Sequence, residues 1–391
     1  MKNWTMERVA VAGYFAILGF VCSAWVSSID DLKLALGLDD AQLGQLLFFG
    51  PLGNLVTFAF ASRLIGALGS RRSTVVFAPL YVLAALAMAL CFLFRAPYPC
   101  WAVSLACFGG IGNLVNISMN TQAGIVEKKS GRSVMNTFHA LFSLFFLSGV
   151  LVAMGAQSLA VPVAYRMFAA VVLGAVIHLG VLWRLPKDQD ERPPEKGRWR
   201  RPDRALLSVG LAAIVIMGCE GAVNDWVNVF YMTNFADTGL DLGGLRKLGL
   251  LAFTVAMVTG RFGANGLVNR FSPGRVFRLY VLLSCVGLGL SLSAPFLGLS
   301  ALVLLALVTV GFAVAGLGIS GLVPLLYSKA NRTRSMAPAS ALTFVGSMGF
   351  LGYFFGPPFL GFVSRMTNLS VALGIFAALM LFCLLLDLDR D

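Results

Sequence analysis

The sequence predicts an all-α membrane protein of twelve transmembrane helices in two six-helix bundles. Three observations carry that prediction. Of 391 residues, 58% are hydrophobic and only 12% charged, with a mean hydropathy of +0.83, whereas a soluble chain carries about 25% charged residues. Apolar runs of roughly 20 residues, the length a helix needs to cross a bilayer, recur from one end to the other. One long hydrophilic segment, 186–204, separates six of these runs from the other six.

Taken in order, the predicted spans cover about 9–29, 41–65, 74–94, 100–124, 133–156, 163–185, 205–235, 246–268, 276–297, 300–328, 336–362 and 368–386. The first is too long for the apolar core of a signal peptide and lacks a small-residue cleavage site, so it is read as a span. About 24 of the 30 Lys and Arg fall at the two termini and in the loops after the even-numbered spans. The opposite loops hold only Lys33, Arg95, Arg166, Arg246, Lys247 and Arg365. Positive charge marks the cytoplasmic side, so both termini are expected there, as an even number of spans requires. The predicted domains are 1–185, a cytoplasmic linker 186–204, and 205–391. The linker mixes both charge signs with Pro and reads as a solvated connection; a regulatory element is the alternative.

The net charge of +12 does not indicate nucleic acid, because the cations sit in alternate loops without interleaved aromatics. The seven cysteines show no metal or disulfide spacing and read as small buried residues. No metal and no cofactor is expected. A Gly-rich phosphate loop followed by Lys and Ser/Thr is missing, so no nucleotide is expected to drive the protein. An intramembrane hydrolase would need a nucleophile with a base and a metal or triad. Two isolated histidines, His139 and His178, supply no such cluster, and His178 reads as interfacial. The expected partners are membrane lipid, a small solute and protons, with the chain acting as a monomer.

The two halves share a weak repeat. Ser62-Arg63-Leu64-Ile65-Gly66-Ala67-Leu68-Gly69-Ser70-Arg71-Arg72 closes span 2, and Gly266-Leu267-Val268-Asn269-Arg270-Phe271-Ser272-Pro273-Gly274-Arg275 closes span 8. Each is a small-residue helix end followed by a basic turn, as expected for two halves related by an axis along the membrane normal. On these residues the chain resembles the major facilitator superfamily. The family's usual acid in this motif falls on Gly66 and on Asn269, so its charge relay is not implied here. The stretch from Asn116 to Gln122, with Val126-Glu127, Gly131-Arg132, Met135 and Phe138 to Ser143, is similar to the fucose-permease-like branch. Glu220-Gly221, Asp225-Trp226, Val323-Pro324 and Gly356-Pro357-Pro358 fit the same branch. The resemblance implies a secondary transporter of the bacterial inner membrane that works by alternating access. That branch's span-4 carboxylate falls on Asn116, and span 1 offers only Ser23, Trp25, Ser27 and Ser28 at the matching depth. Its coupling scheme is therefore not implied intact.

Candidate residues follow from polar groups carried into apolar runs. In span 7, Glu220 and Asp225 lie in a region where charge costs at least about 2.5–3.5 kcal/mol, which makes an intramembrane acid a functional candidate. Burial favours the neutral form of a carboxylate and so equips it to exchange a proton. Helix geometry places the two acids about 7.5 Å apart along the axis and about 140° around it, with Asn224, a candidate solute-binding amide, on the face of Glu220. Gly218 and Gly221 are expected to weaken the helix there. The alternative is a static pair with a buried cation, for which Arg261 in span 8 is the candidate; snorkelling or a cytoplasmic gate are its other readings.

In span 4, Asn113, Asn116 and Asn120 form a stripe of amides that both donate and accept. It is read as lining a cavity, with interhelical bonding as the alternative. His139 in span 5 could move a proton or bond a solute, or simply pack. Gln45 and Asn54 flank the Gly50-Pro51 break, where they either reach a cavity or satisfy the break. Trp25 and Trp226 are candidate walls against a sugar ring or interface anchors. Arg63, Arg71, Arg72 and Arg270 of the two basic turns join Arg261 as gating candidates. The glycines of spans 10 and 11 are read as packing elements. Together these features predict proton-coupled symport of a sugar-like or other small polar solute; proton-driven efflux of amphipathic compounds is the alternative.

Overall fold

The structure, a computed structural model, describes residues 2–130, 134–187, 202–331 and 338–385. Among them the regular elements are all helices. They are α1 (Lys2–Val26), α2 (Ile29–Leu36), α3 (Asp40–Leu47), α4 (Phe49–Leu68), α5 (Ser70–Leu93), α6 (Tyr98–Ser130), α7 (Met135–Ser158) and α8 (Val163–Val181). After the linker come α9 (Arg204–Asn234), α10 (Leu248–Arg270), α11 (Pro273–Ser293), α12 (Ala301–Ile319), α13 (Leu322–Asn331), α14 (Pro338–Met366) and α15 (Leu369–Phe382). All twelve predicted spans are helical. Three are assembled from two pieces: α1 with α2, α3 with α4, and α12 with α13. Most of the predicted linker, 188–201, lies outside the described residues, as do Gly131 and Arg132.

Nine helical stretches of the described residues are long and apolar enough to cross a bilayer, and Leu369–Leu385 is a shorter apolar one. α10 has spanning length but carries Arg261, Asn265, Asn269 and Arg270 in its second half.

Local chemistry explains the ends. Gly69 takes a φ of 80° between α4 and α5, a region that costs little only for glycine, and so turns the chain at the first basic motif. Asp203, Ser272 and Asn368 accept from backbone N–H groups in the first turns of α9, α11 and α15, satisfying donors that a helix start leaves open. The Glu127 carboxylate of α6 does the same for the start of α7, accepting from Val134 N at 2.7 Å and Met135 N at 2.9 Å.

The chain divides into two compact units, Met1–Leu38 with Gln45–Arg192, and Asp39–Gly44 with Pro193–Asp391. Within the first, α4 and α5 pack on α6, α1 on α7, and α8 on α5 and α1. Within the second, α10 and α11 pack on α12, α9 on α14, and α15 on α11 and α9. These pairings correspond one for one with an offset of six spans, which is the internal repeat made visible in packing. Small residues enable the contacts, because lipid tails give helices no hydrophobic reason to associate and close backbone approach supplies the attraction. A Cβ on Gly53 would strike the Ala106 backbone, one on Gly19 the Phe142 carbonyl, and one on Gly316 the Phe253 carbonyl. Outward faces carry exposed Phe58, Val103, Val172, Leu211, Val286 and Leu302, as a hydrocarbon surround permits.

Each unit also has fixed charges. In the first, Arg166 Nη2 meets Asp31 Oδ2 at 2.7 Å with both side chains largely buried, and Lys129 meets Glu7 at 2.9 Å. In the second, Ser364 donates to the Asp40 carboxylate, and Arg365 lies 3.5 Å from Asp39. Lys247, grouped above with the loop cations, is fully buried beside the start of α10.

Candidate functional site

The first unit lines an open cavity of about 350 Å³. α1 contributes Phe15, Leu18 and Cys22, α4 contributes Asn54, α5 Tyr81, and α7 His139 and Phe142. The rest comes from α6: Phe108, Gly109, Gly112, Asn113, Asn116 and Met119. Four predicted residues, Asn54, Asn113, Asn116 and His139, thus meet around one space. Its walls are aromatic: Tyr81 stacks on Phe108 at 4.5 Å between ring centroids, and His139 meets the edge of Phe15 at 5.3 Å. None of the lining residues carries a formal charge when His139 is neutral, so the space suits a neutral solute; an unpaired ion there would lose hydration without compensation.

The amide stripe is not uniform. Asn113 Nδ2 donates to Thr57 Oγ1 at 3.2 Å and to the Asn54 carbonyl at 3.4 Å, bonding α6 to α4. Asn120 Nδ2 donates to Asn116 Oδ1 at 2.8 Å and does not line the cavity. That bond orients the Asn116 amide and directs its nitrogen away from Asn120. Asn116, exposed toward the space, is the amide best placed to donate to a solute.

The second unit holds the acids. α9 runs unbroken past Gly218 and Gly221, which are close-packing positions here instead of a weak point. A Cβ on Gly218 would lie 3.3 Å from the Gly352 Cα, and one on Gly221 would meet the Tyr353 ring at 2.5 Å. Glu220 is therefore carried on the α9–α14 seam. Its carboxylate lies 3.3 Å from Arg261 Nη2, with side-chain exposures of 14% for the acid and 46% for the arginine. The acid is held in the interior while its cation reaches outward. Asp225 is half-buried, and among the described residues no hydrogen bond or ion pair holds it. Asn224 donates to the Glu220 carbonyl at 3.0 Å, a bond within its own helix.

The remaining candidates lie elsewhere. Trp25 is buried and Gln45 is exposed, and neither lines the cavity. Trp226 is fully buried, with no acceptor for its indole N–H among the described residues; that is core packing, not an interface position. Arg63, Arg72 and Arg270 are exposed, while Arg71 donates to the Trp183 carbonyl at 3.4 Å. His178 is buried against Tyr14, 3.3 Å from its hydroxyl, instead of interfacial. Among the described residues no cluster of three or more His, Cys, Asp or Glu could hold a metal. Sequence reasoning missed the phenylalanine and tyrosine walls and Tyr353. With 31 Phe in the chain, a single phenylalanine carries no positional signal.

Comparison with known proteins adds the family. The model for the Major Facilitator Superfamily matches residues 9–337. An uncharacterized MFS-type transporter of Yersinia pestis is 29% identical over 378 residues, covering 96% of this chain and 93% of its own. Among solved structures, a variant of the nucleoside transporter NupG superposes with a TM-score of 0.75 at 14% identity, covering 96% of this chain and 98% of its own. A variant of the E. coli fucose:proton symporter FucP gives 0.63 at 15% identity, covering 98% of each chain. At those identities the structural likeness is one of fold.

Proposed function

The chain belongs to the major facilitator superfamily and is a transporter, not an enzyme, and from that premise we propose proton-coupled symport of a sugar-like or other small polar solute by alternating access. The transporter sits in the bacterial inner membrane as a monomer, with 1–185 and 205–391 as its bundles, 186–204 as the linker, and both termini cytoplasmic.

The observation that carries this reading is Glu220 itself, an acid enclosed in an apolar helix bundle beside the half-exposed Arg261. Ionised Glu220 is stabilised by Arg261. An enclosed carboxylate that loses its cation favours its neutral form, so Glu220 gives up the arginine only when a proton replaces it. A conformational change that separates the two side chains thereby requires proton uptake, and one that reunites them releases the proton. The exposed guanidinium is the movable member and the enclosed carboxylate the fixed one. Solute is held by Asn116 and His139 against the rings of the first unit's cavity. The FucP neighbour, a fucose:proton symporter, agrees with this combination.

The test begins with a thermal-shift screen of purified protein against sugars, nucleosides, amino acids and cationic drugs. Glu220→Gln in proteoliposomes is then expected to abolish uptake of the selected solute driven by a pH gradient while preserving solute exchange. Undiminished gradient-driven uptake removes Glu220 from the coupling. Proton-driven efflux of amphipathic compounds is the second reading, favoured by the aromatic walls Phe15, Tyr81, Phe108 and Phe142. A shift produced by amphipathic cations, with none from sugars or nucleosides, selects it.

A further inference from the structure

Backbone carbonyls decide which way the asparagines of the cavity point. The Asn120 amide lies 2.8 Å from the Asn116 backbone carbonyl and 2.8 Å from the Asn116 side chain. A carbonyl only accepts, so the Asn120 atom in both contacts is its nitrogen, and its side-chain partner is Asn116 Oδ1. Asn113 Nδ2 is fixed in the same way, by the Asn54 carbonyl at 3.4 Å and Thr57 Oγ1 at 3.2 Å. Thr57 turns its one hydrogen toward the Gly53 and Asn54 carbonyls, each at 3.1 Å, and so meets Asn113 as an acceptor.

Each amide is therefore half used. Asn116 keeps its nitrogen and Asn113 its oxygen, and among the described residues neither atom has a partner. Both side chains line the cavity. Residues three apart on a helix share a face, with Cβ atoms about 5–6 Å apart. The α6 wall thus presents a donor beside an acceptor, each held in one sense by bonds made behind it.

We propose that Asn116 and Asn113 read one solute hydroxyl between them, Asn116 donating to its oxygen and Asn113 accepting its hydrogen, so that the solute is a neutral hydroxyl-bearing ring. The inference rests on the solute-holding role given to this cavity above. A hydroxyl donates and accepts at a single atom, and that atom, about 2.7–3.0 Å from each partner, bridges amides carried on this spacing. An ether or ketone oxygen leaves Asn113 without a donor. An ammonium group leaves Asn116 without an acceptor and brings a charge that no lining residue offsets. Asn120, which does not line the cavity, is a positioning residue: it keeps the Asn116 nitrogen turned to the solute.

The test measures equilibrium binding of D-glucose, D-galactose, D-ribose, uridine and uracil to full-length protein in detergent, with the mono-deoxy analogues of each hydroxylated probe. At one ring position, loss of the hydroxyl is expected to weaken binding about 25-fold, two hydrogen bonds at about fivefold each. In Asn116→Ala and in Asn113→Ala the same deletion is expected to cost only about fivefold, because one partner has already gone. Asn120→Ala, which lets Asn116 turn, is expected to reduce the penalty as well; a merely structural role for Asn120 would weaken a parent probe and its deoxy analogue by the same factor. An equal penalty in wild type and Asn116→Ala at every position, or uracil bound as tightly as uridine, overturns the pair and leaves proton-coupled uptake standing. No binding by any of these probes overturns the pair together with the sugar-like solute. The expected pattern alongside undiminished gradient-driven uptake in Glu220→Gln upholds the pair and removes the coupling role instead.

Discussion

Gly352→Ala is the substitution by which the packing argument stands or falls. The added methyl would strike the Ile214 carbonyl and lie 2.7 Å from Gly218 N and 3.0 Å from Gly218 Cα. All three are backbone atoms, so no rotamer change relieves the clash and α9 must move away from α14. Overpacking of a close-packed site costs about 1–3 kcal/mol, and the backbone character of the obstacle puts this case at the upper end. In α11, Gly289→Ala is the internal control, because its new methyl meets nothing within 4 Å. Both variants alter helix propensity alike, so their difference isolates the contact. Thermal unfolding of the detergent-purified protein should show a midpoint several degrees lower for Gly352→Ala and one near wild type for Gly289→Ala. Equal midpoints for the two variants would refute the close approach, and with it the geometry that seats Tyr353.

The other substitutions separate binding from architecture. Asn116→Ala should weaken solute binding about fivefold, the loss of one hydrogen bond of ~1 kcal/mol, read by equilibrium binding of the solute selected in the thermal screen. Asn113→Ala should also lower the thermal midpoint slightly, since its nitrogen bonds α6 to α4 at about 0.6 kcal/mol per contact. Arg166→Ala removes the guanidinium that lies 2.7 Å from the largely buried Asp31 carboxylate and should destabilise the first unit by about 3–5 kcal/mol. The double variant Arg166→Ala with Asp31→Asn should recover part of that loss in the same melting assay.

The fold was legible because its signals are local. Run length, loop charge and one hydrophilic divider are read directly from the chain, and each predicted span is a helix. Glu220 and Arg261 were legible for a related reason: a charge inside an apolar run is conspicuous whatever its neighbours. The identity of the aromatic walls depends on the rotation of each helix, which is decided by contacts such as Gly218 with Gly352. Rotation leaves little trace in a uniformly apolar sequence. Trp226 shows the difficulty, since its place near a predicted span end allowed an interface anchor while packing buries it completely. The asparagine stripe shows another: spacing put three amides on one face, and only tertiary contacts reveal that Asn113 bonds a neighbouring helix while Asn120 orients Asn116.

The two units share a pattern of helix pairing but not a chemistry. The α1–α7 pair of the first corresponds to α9–α14 of the second, and glycines bring the backbones together in both, Gly19 against Phe142 and Gly352 against Ile214. Beside the first seam lie Cys22, His139 and Phe142, lining a space suited to a neutral solute; on the second lie Glu220 and the Tyr353 ring. A repeat conserves what packing demands, namely small residues at close approaches, and leaves the side chains next to them free to diverge. On the proposed function, recognition can therefore be altered in one unit without disturbing proton exchange in the other. If that separation is real, Glu220→Gln leaves equilibrium binding of the selected solute unchanged while abolishing gradient-driven uptake, and Asn116→Ala weakens binding while the uptake that remains still follows the pH gradient. A substitution on either seam that shifted both readouts together would mean that the two chemistries share a site.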